Sequence, residues 1–187
     1  MIQKTFKPLP VEFYRRDVLL VAPDLLGKII RLTTANGLKY FFITETEAYR
    51  GEEDKACHCH KGRTKRTEVM YRSGGVFYVY LIYGKYWMLN IVTGHKNEPQ
   101  AVLIRAIKSI NPETEAIQDC FDGPGKTGMI LNVKKEFYGM PVNNNRYLAV
   151  LNINFPHIPQ NIKKLPRIGI DYAGEFWKNK LWRFVLH

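Results

Sequence analysis

The chain is short of acid, short of cysteine and has no long apolar run. Seventeen Asp and Glu stand against 28 Lys and Arg in 187 residues, which leaves a formal charge of +11 and a pI near 9.6. That deficit of carboxylates calls for a polyanionic partner, nucleic acid before an anionic membrane surface. Three cysteines, two of them within Cys57-His58-Cys59, are too few for a disulfide framework. No stretch approaches the roughly 20 apolar residues of a membrane span. The opening MIQKTFKPLP has no apolar core of the signal-peptide kind. The reading is a reduced, intracellular protein that stays out of the membrane. With no internal repeat, low-complexity tract or dividing linker, one domain over residues 1–187 is expected, long enough for a core.

Aromatic residues are what the chain has in plenty. In GGVFYVYLIYGKYWMLN, Gly74 to Asn90, five tyrosine and tryptophan side chains (Tyr78, Tyr80, Tyr83, Tyr86, Trp87) crowd into ten positions. Such density favours strand. Tyr83-Gly84-Lys85 interrupts the run, so it divides into two strands joined by a tight turn. The run is either an ordinary aromatic core strand or a hairpin whose tip, Tyr83 beside Lys85, is an apolar wedge flanked by charge and suited to entering a base stack.

Elsewhere, Tyr14 to Lys28 reads as helix, a break at Ala22-Pro23, then a second turn ended by Gly27. Lys28–Thr34 and Leu38–Tyr49 flank Asn36-Gly37, a strong hairpin signal. Cys57 to Thr67 is polar and basic, a surface loop or short helix. Gln100–Ile107 is a buried strand carrying one arginine. Asn111-Pro112-Glu113 has the order that starts a helix, and Asp122 to Lys126 precedes another. Residues 132–165 look irregular, with a turn at Asn143–Asn145. Arg167–Ile170 and Leu181–Leu186 read as strands that close the sheet. Strands paired through short turns, with helices grouped apart, argue for α+β with a largely antiparallel sheet.

Several clusters could carry chemistry. At period two, Glu45, Glu47 and Tyr49 share one strand face, with about 6.6 Å between alternate residues. They are either a solvated acidic edge or a carboxylate beside a ring, able to activate water and stack a flat substrate. Arg105, inside AVLIRAI, needs a carboxylate partner once buried. It is either a structural salt bridge or the group that orients an active-site carboxylate. Asn90 ends a strand, where an amide without a role is the alternative. Cys57-His58-Cys59-His60 lacks the two-to-four-residue gap that zinc ligands need, so no metal is expected. Gly123-Pro124-Gly125-Lys126-Thr127 ends like a phosphate-binding loop, but Cys120 stands where a glycine is required and Pro124 lacks an N–H. A single phosphate contact from a helix start backed by Lys126 is the reading that remains.

Taken together, these segments resemble the alkyladenine (3-methyladenine) DNA glycosylase family. The resemblance is carried by Arg16-Asp17 with Asp24 to Lys28, Glu45-Thr46-Glu47-Ala48-Tyr49, Glu53-Asp54 with His58, and Lys61-Gly62-Arg63-Thr64. It continues through Tyr78 to Gly84, Asn90, Leu103 to Ala106, Gly123 to Lys126 and Pro166 to Ile170, in order from about residue 13 onwards. It implies a single domain on a curved antiparallel sheet, an open partial barrel with flanking helices and a protruding β-hairpin. It also implies no metal or organic cofactor, and a monomer acting on double-stranded DNA that contains damaged purines. Position by position, Glu47 resembles the base that activates water, with Arg105 beside it, and the Ile168 carbonyl resembles a third water contact. Tyr49, His58 and Tyr80 resemble the walls around an extruded base, Asn90 the residue set against the amino group of guanine, and Tyr83 the residue that fills the gap in the duplex. Arg63, Lys85 and Lys126 are the expected DNA contacts. Lys65, Thr67 and Tyr71 depart from the family pattern beside the pocket and bear on substrate preference more than on chemistry.

The implied activity is excision of alkylated or deaminated purines such as 3-methyladenine, hypoxanthine and ethenoadenine. No lysine in these motifs stands where a Schiff-base nucleophile would, so the expected enzyme is monofunctional and leaves an abasic site. Flipping a damaged base costs a few kcal/mol. A cationic purine then gains from aromatic walls and needs one carboxylate to activate water, half of a glycosidase pair. The alternative from another class, a non-catalytic single-stranded nucleic-acid-binding protein, explains the charge and the tyrosines but leaves Glu47 and Arg105 idle; a third reading is an RNA-modifying or RNA-binding protein.

Overall fold

The protein is described from a computed structural model covering residues 6–114, 116–143, 145–152 and 161–187. In chain order the elements are β1 (Lys7–Pro8), α1 (Val11–Tyr14), α2 (Val18–Asp24), β2 (Ile29–Thr34), β3 (Gly37–Arg50), β4 (Phe77–Ile82) and β5 (Tyr86–Val92). They continue with β6 (Gln100–Ile110), β7 (Ile117–Asp122), α3 (Pro124–Ile130), β8 (Leu148–Asn152), β9 (Ile162–Leu165), α4 (Glu175–Lys178) and β10 (Arg183–Leu186). All ten strands join one curved, open sheet whose pairings are antiparallel, in the order β1-β8-β2-β3-β6-β5-β4. β7 is added on β6, and β10 pairs with both β3 and β9. This is the expected α+β architecture.

β3 is the strand the fold turns on. Its first half pairs with β2, its second half with β10, and β6 runs beside it from Phe41 to Arg50. The 3.6-residue stripe of α2, with Val18, Val21 and Ala22 buried, packs on one face of it together with Ile104 and Ile107 of β6. Gly128 lets α3 lie directly on β5, since a Cβ there would come within 1.9 Å of the Trp87 carbonyl oxygen.

Both hairpins are where the turn residues put them. Thr34 pairs with Gly37 across Ala35-Asn36, and Ile82 pairs with Tyr86 across Tyr83-Gly84-Lys85. Four other expectations are corrected. The helical break falls at Arg15–Asp17 rather than Ala22-Pro23, because the Asp17 side chain caps α2 by accepting from the Leu19 N–H at 2.8 Å, while Pro23 sits inside the last turn. Asn111-Pro112-Glu113 starts no helix. The Asn111 side chain accepts from the N–H groups of Glu113 and Thr114, and the chain returns as β7 against β6. An asparagine serves a helix start and an Asx turn by the same hydrogen bonds. Residues 132–165 contain β8 and β9, with residues 153–160 of that stretch, and residue 144 of the expected turn, outside the described residues. Arg167–Ile170 is a bend; the strand lies before it, at β9.

Candidate active site

Glu47 is positioned by an irregularity that period-two counting does not show. Along β3 and β6, Ile43 opposes Ile107, Glu45 opposes Ala106 and Thr46 opposes Ile104, so each strand carries one extra residue at this point. A bulge re-aims the side chains that follow it. Before it, Phe41 and Ile43 face the main core. After it Ala48 does so, and Thr46 donates to the Ala22 carbonyl of α2. Glu45, Glu47 and Tyr49 are thereby turned to the opposite face, and Arg105, the extra residue on β6, meets them there.

The result is a charged cluster beneath the floor of a cavity. Arg105 donates from Nε to Glu45 Oε1 at 3.1 Å and from Nη1 to Glu47 Oε2 at 3.4 Å, and Arg183 of β10 reaches Glu45 Oε1 at 2.9 Å. The Tyr49 hydroxyl donates to Glu47 Oε2 at 2.9 Å, and the Ile168 N–H donates to Glu47 Oε1 at 2.8 Å. Glu47 is 0% exposed, so the acidic edge is not solvated. Burial raises the pKa of its carboxyl, and Arg105, the Ile168 N–H, the Tyr49 hydroxyl and Arg167 each oppose the shift.

Above it lies a cavity of about 480 Å³ lined by Tyr49, His58, Tyr80, Asn90, Arg105 and Ile168 among others, with Tyr83 at its mouth. It holds seven of the eleven residues expected to carry function, and Glu47 lies just behind its wall. His58 and Tyr80 meet edge to face, ring centroids 4.6 Å apart. His58 Nδ1 pairs with the Tyr78 hydroxyl at 2.8 Å. Burial, and then Arg66, lower the His58 pKa to about 4, so the ring is neutral at neutral pH. Burial pushes Tyr80 up to about 12. Asn90 does not end its strand as expected but lies buried inside β5, which runs on to Val92, and it donates from Nδ2 to the Tyr78 carbonyl at 3.1 Å.

Tyr83 is 92% exposed and has φ of 53°. Among the described residues only Asn97 and Asn132 share a positive φ without being glycine, and asparagine tolerates that region far better than an aromatic residue does. Lys85 lies over the Tyr86 ring at 5.3 Å, and Lys126 is exposed at the start of α3. Arg63 stands apart from the cavity, donating to Asn97 at 2.7 Å and lying over the Tyr71 ring at 4.3 Å.

The Cys57–Thr67 stretch is not simply surface. A short 3-10 helix over His58–Lys61 buries Cys57 and Cys59. His60 Nδ1 pairs with the Glu52 carbonyl, away from His58. Among the described residues no three His, Cys, Asp or Glu side chains are grouped as metal ligands, and no helix is long and apolar enough to cross a membrane. Sequence reasoning gave no role to Asp54 and Arg167, which form a fully buried ion pair beside Tyr49, or to Arg66, whose guanidinium lies 4.9 Å from the Tyr80 ring centroid. Tyr172, which also lines the cavity, was missed as well. Asp54 and Arg167 stood inside quoted motifs, but their pairing across 113 residues leaves no local signal.

A buried carboxylate lies under an aromatic cavity on a strongly basic chain, an arrangement able to activate a water beside a flat group carried by a polyanion. Residues 12–187 match the family described as methylpurine-DNA glycosylase (MPG). Proteins carrying the name "Putative 3-methyladenine DNA glycosylase" from Borreliella burgdorferi (strain ZS7) and Bdellovibrio bacteriovorus are each 42% identical to the chain. The first aligns over 93% of both chains, and the second over 95% of this chain and 94% of its own. One of the same name from Psychrobacter cryohalolentis is 38% identical over 99% of this chain and 93% of its own. The chain belongs to the methylpurine-DNA glycosylase family.

Proposed function

We propose that this protein is a monofunctional glycosylase of base excision repair, one domain acting as a monomer on double-stranded DNA inside the cell. It extrudes an alkylated or deaminated purine and hydrolyses its N-glycosidic bond. The observation that supports this most is the state of Glu47: a fully buried carboxylate held by Arg105, Tyr49 and the Ile168 N–H behind an aromatic cavity. A group so held has a fixed direction and an elevated affinity for a proton, which is what a general base needs.

In this reading Glu47 takes a proton from a water that attacks the sugar C1′. The C–N bond breaks and its electron pair leaves with the purine. Arg105 keeps the carboxylate aimed, and the Ile168 carbonyl is a further water contact. Tyr49, Tyr80 and neutral His58 enclose the base; a cationic purine gains by cation–π contact with rings that carry no opposing charge. Asn90, rigid in its bond to Tyr78, meets the edge where guanine carries its amino group. Tyr83 enters the duplex and restacks the flanking pairs, while Arg63, Lys85 and Lys126 contact phosphates. No metal or cofactor takes part in this scheme.

The test is a panel of duplexes, each with one 3-methyladenine, hypoxanthine, 1,N6-ethenoadenine or 7-methylguanine, assayed with a strong chelator present. Release of at least one free base, leaving an uncut abasic strand, is expected. Binding without release from any duplex, and preference for single strands, would overturn the proposal in favour of a non-catalytic single-strand binder.

A further inference from the structure

One buried ion pair ties together the three segments that build the site. Asp54 and Arg167 are both fully buried. Arg167 donates from Nη1 and Nη2 to the two Asp54 oxygens at 2.6 and 2.9 Å, and from Nη1 to the Ala48 carbonyl at 2.9 Å. Its guanidinium lies 4.8 Å from the Tyr49 ring centroid and 5.0 Å from that of Trp182. Asp54 in turn accepts from the N–H groups of Arg50 and Ala56 at 3.2 and 3.0 Å. The next residue after Arg167 is Ile168, whose N–H is on Glu47. One guanidinium therefore joins the end of β3, the loop leading to His58 and the C-terminal bend.

A buried ion pair is a weak source of stability, since apolar residues of similar volume often do as well or better. What an apolar pair cannot do is fix direction. A guanidinium with three directed donor contacts holds three backbone segments at set angles, which a flexible ammonium does not. We propose that the Asp54–Arg167 pair is a positioning device for the excision step, holding the Ile168 N–H on the Glu47 carboxylate and the Tyr49 ring at the cavity wall. This rests on Glu47 being the base.

The charged and titratable groups around Glu47 are Arg105 from β6, Glu45 and Tyr49 from β3, Tyr80 from β4, Arg183 from β10 and Arg167 from the bend. The Arg167 charge and the Ile168 N–H both lower the Glu47 pKa. Loosening the clamp takes the Ile168 N–H off the carboxylate, and losing the guanidinium altogether removes the Arg167 charge as well, so the acid limb of excision moves to higher pH.

The experiment uses single-turnover excision against pH on whichever duplex of the panel the parent cleaves fastest, together with duplex affinity and thermal melting. Two variants are compared with the parent: Arg167→Lys, which keeps the buried charge, and the double replacement Asp54→Leu with Arg167→Met, which keeps the volume. Each folded variant is expected to lose tenfold or more in the single-turnover rate, to shift its acid limb upward and to change duplex affinity less than threefold. A folded variant with a rate within twofold of the parent and an unmoved limb would overturn the proposal. So would failure of both variants to fold, which would make the pair an element of the fold. Glu47→Gln is run alongside. If it also excises, the base assignment has failed; if it is inactive while the clamp variants match the parent, only the clamp has failed.

Discussion

At the scale of single residues, Glu47 and His58 titrate in opposite senses for the same physical reason. Burial penalises the charged form of each, so the carboxyl holds its proton to higher pH and the imidazole stays neutral to lower pH. For His58 the folded pKa of about 4 lies below its ordinary 6.5. The unfolded chain therefore binds more protons between these values, and the contribution of this residue to stability falls as pH drops from 6.5 towards 4. His58→Asn should flatten that part of a melting-against-pH curve. An unchanged slope would mean that His58 does not titrate as described. For Glu47 the folded pKa lies above its ordinary 4.5. The proton is favoured in the folded state, and the charged form detracts from stability at neutral pH. Glu47→Gln should accordingly melt higher than the parent at pH 7.5, although it removes a salt-bridge partner of Arg105. A lower melting temperature would mean that the ion pair outweighs the burial.

At the scale of elements, the hairpin β4–β5 and the bulge in β3 and β6 explain what the sequence could and could not reveal. Hairpin turns are local chemistry, so Tyr83-Gly84-Lys85 and Asn36-Gly37 were legible, as was the apolar run of β6. The grouping of Glu45, Glu47 and Tyr49 was legible as well, because two-residue periodicity holds after the bulge. That they face away from Phe41 and Ile43 was not, since one extra residue on each strand changes the face without changing the composition. β7 and β8 were missed for other reasons. The Asn111 turn imitates a helix start, and β8 is held by β1 and β2, more than a hundred residues earlier in the chain.

Two predictions belong to this scale. Tyr83 has a left-handed backbone that costs an L-residue about 1–2 kcal/mol, and its ring is almost fully exposed, so it is not held for stability. Tyr83→Gly should melt at or above the parent, yet bind a lesion duplex roughly 5- to 150-fold more weakly, the factor given by base–aromatic stacking of about 1–3 kcal/mol. Unchanged duplex affinity would remove the wedge. Gly128→Ala should destabilise by about 1–3 kcal/mol, as overpacking does, because α3 must move off the Trp87 carbonyl. Thr127 of the same helix holds the Arg105 carbonyl at 2.9 Å, so excision should fall with it. A variant melting like the parent would show that α3 is not seated on β5 as described.

At the scale of the whole molecule, the charge of +11 and the site make separate claims. Cations that release counterions from phosphates give an affinity falling steeply with salt. Binding to undamaged duplex should do so, and a flat salt dependence would assign the charge to another partner. Charge explains how the protein meets DNA, but not why Glu47 is buried against Arg105. The measurement that bears most directly on the account is single-turnover excision by Glu47→Gln beside its affinity for the same lesion duplex. The amide keeps the shape of the side chain and loses its basicity. The account predicts lesion binding close to that of the parent and a loss of excision beyond 100-fold, within the roughly 10²–10⁴ that general-base catalysis contributes. Excision retained within about tenfold, which is small on that scale, would contradict it.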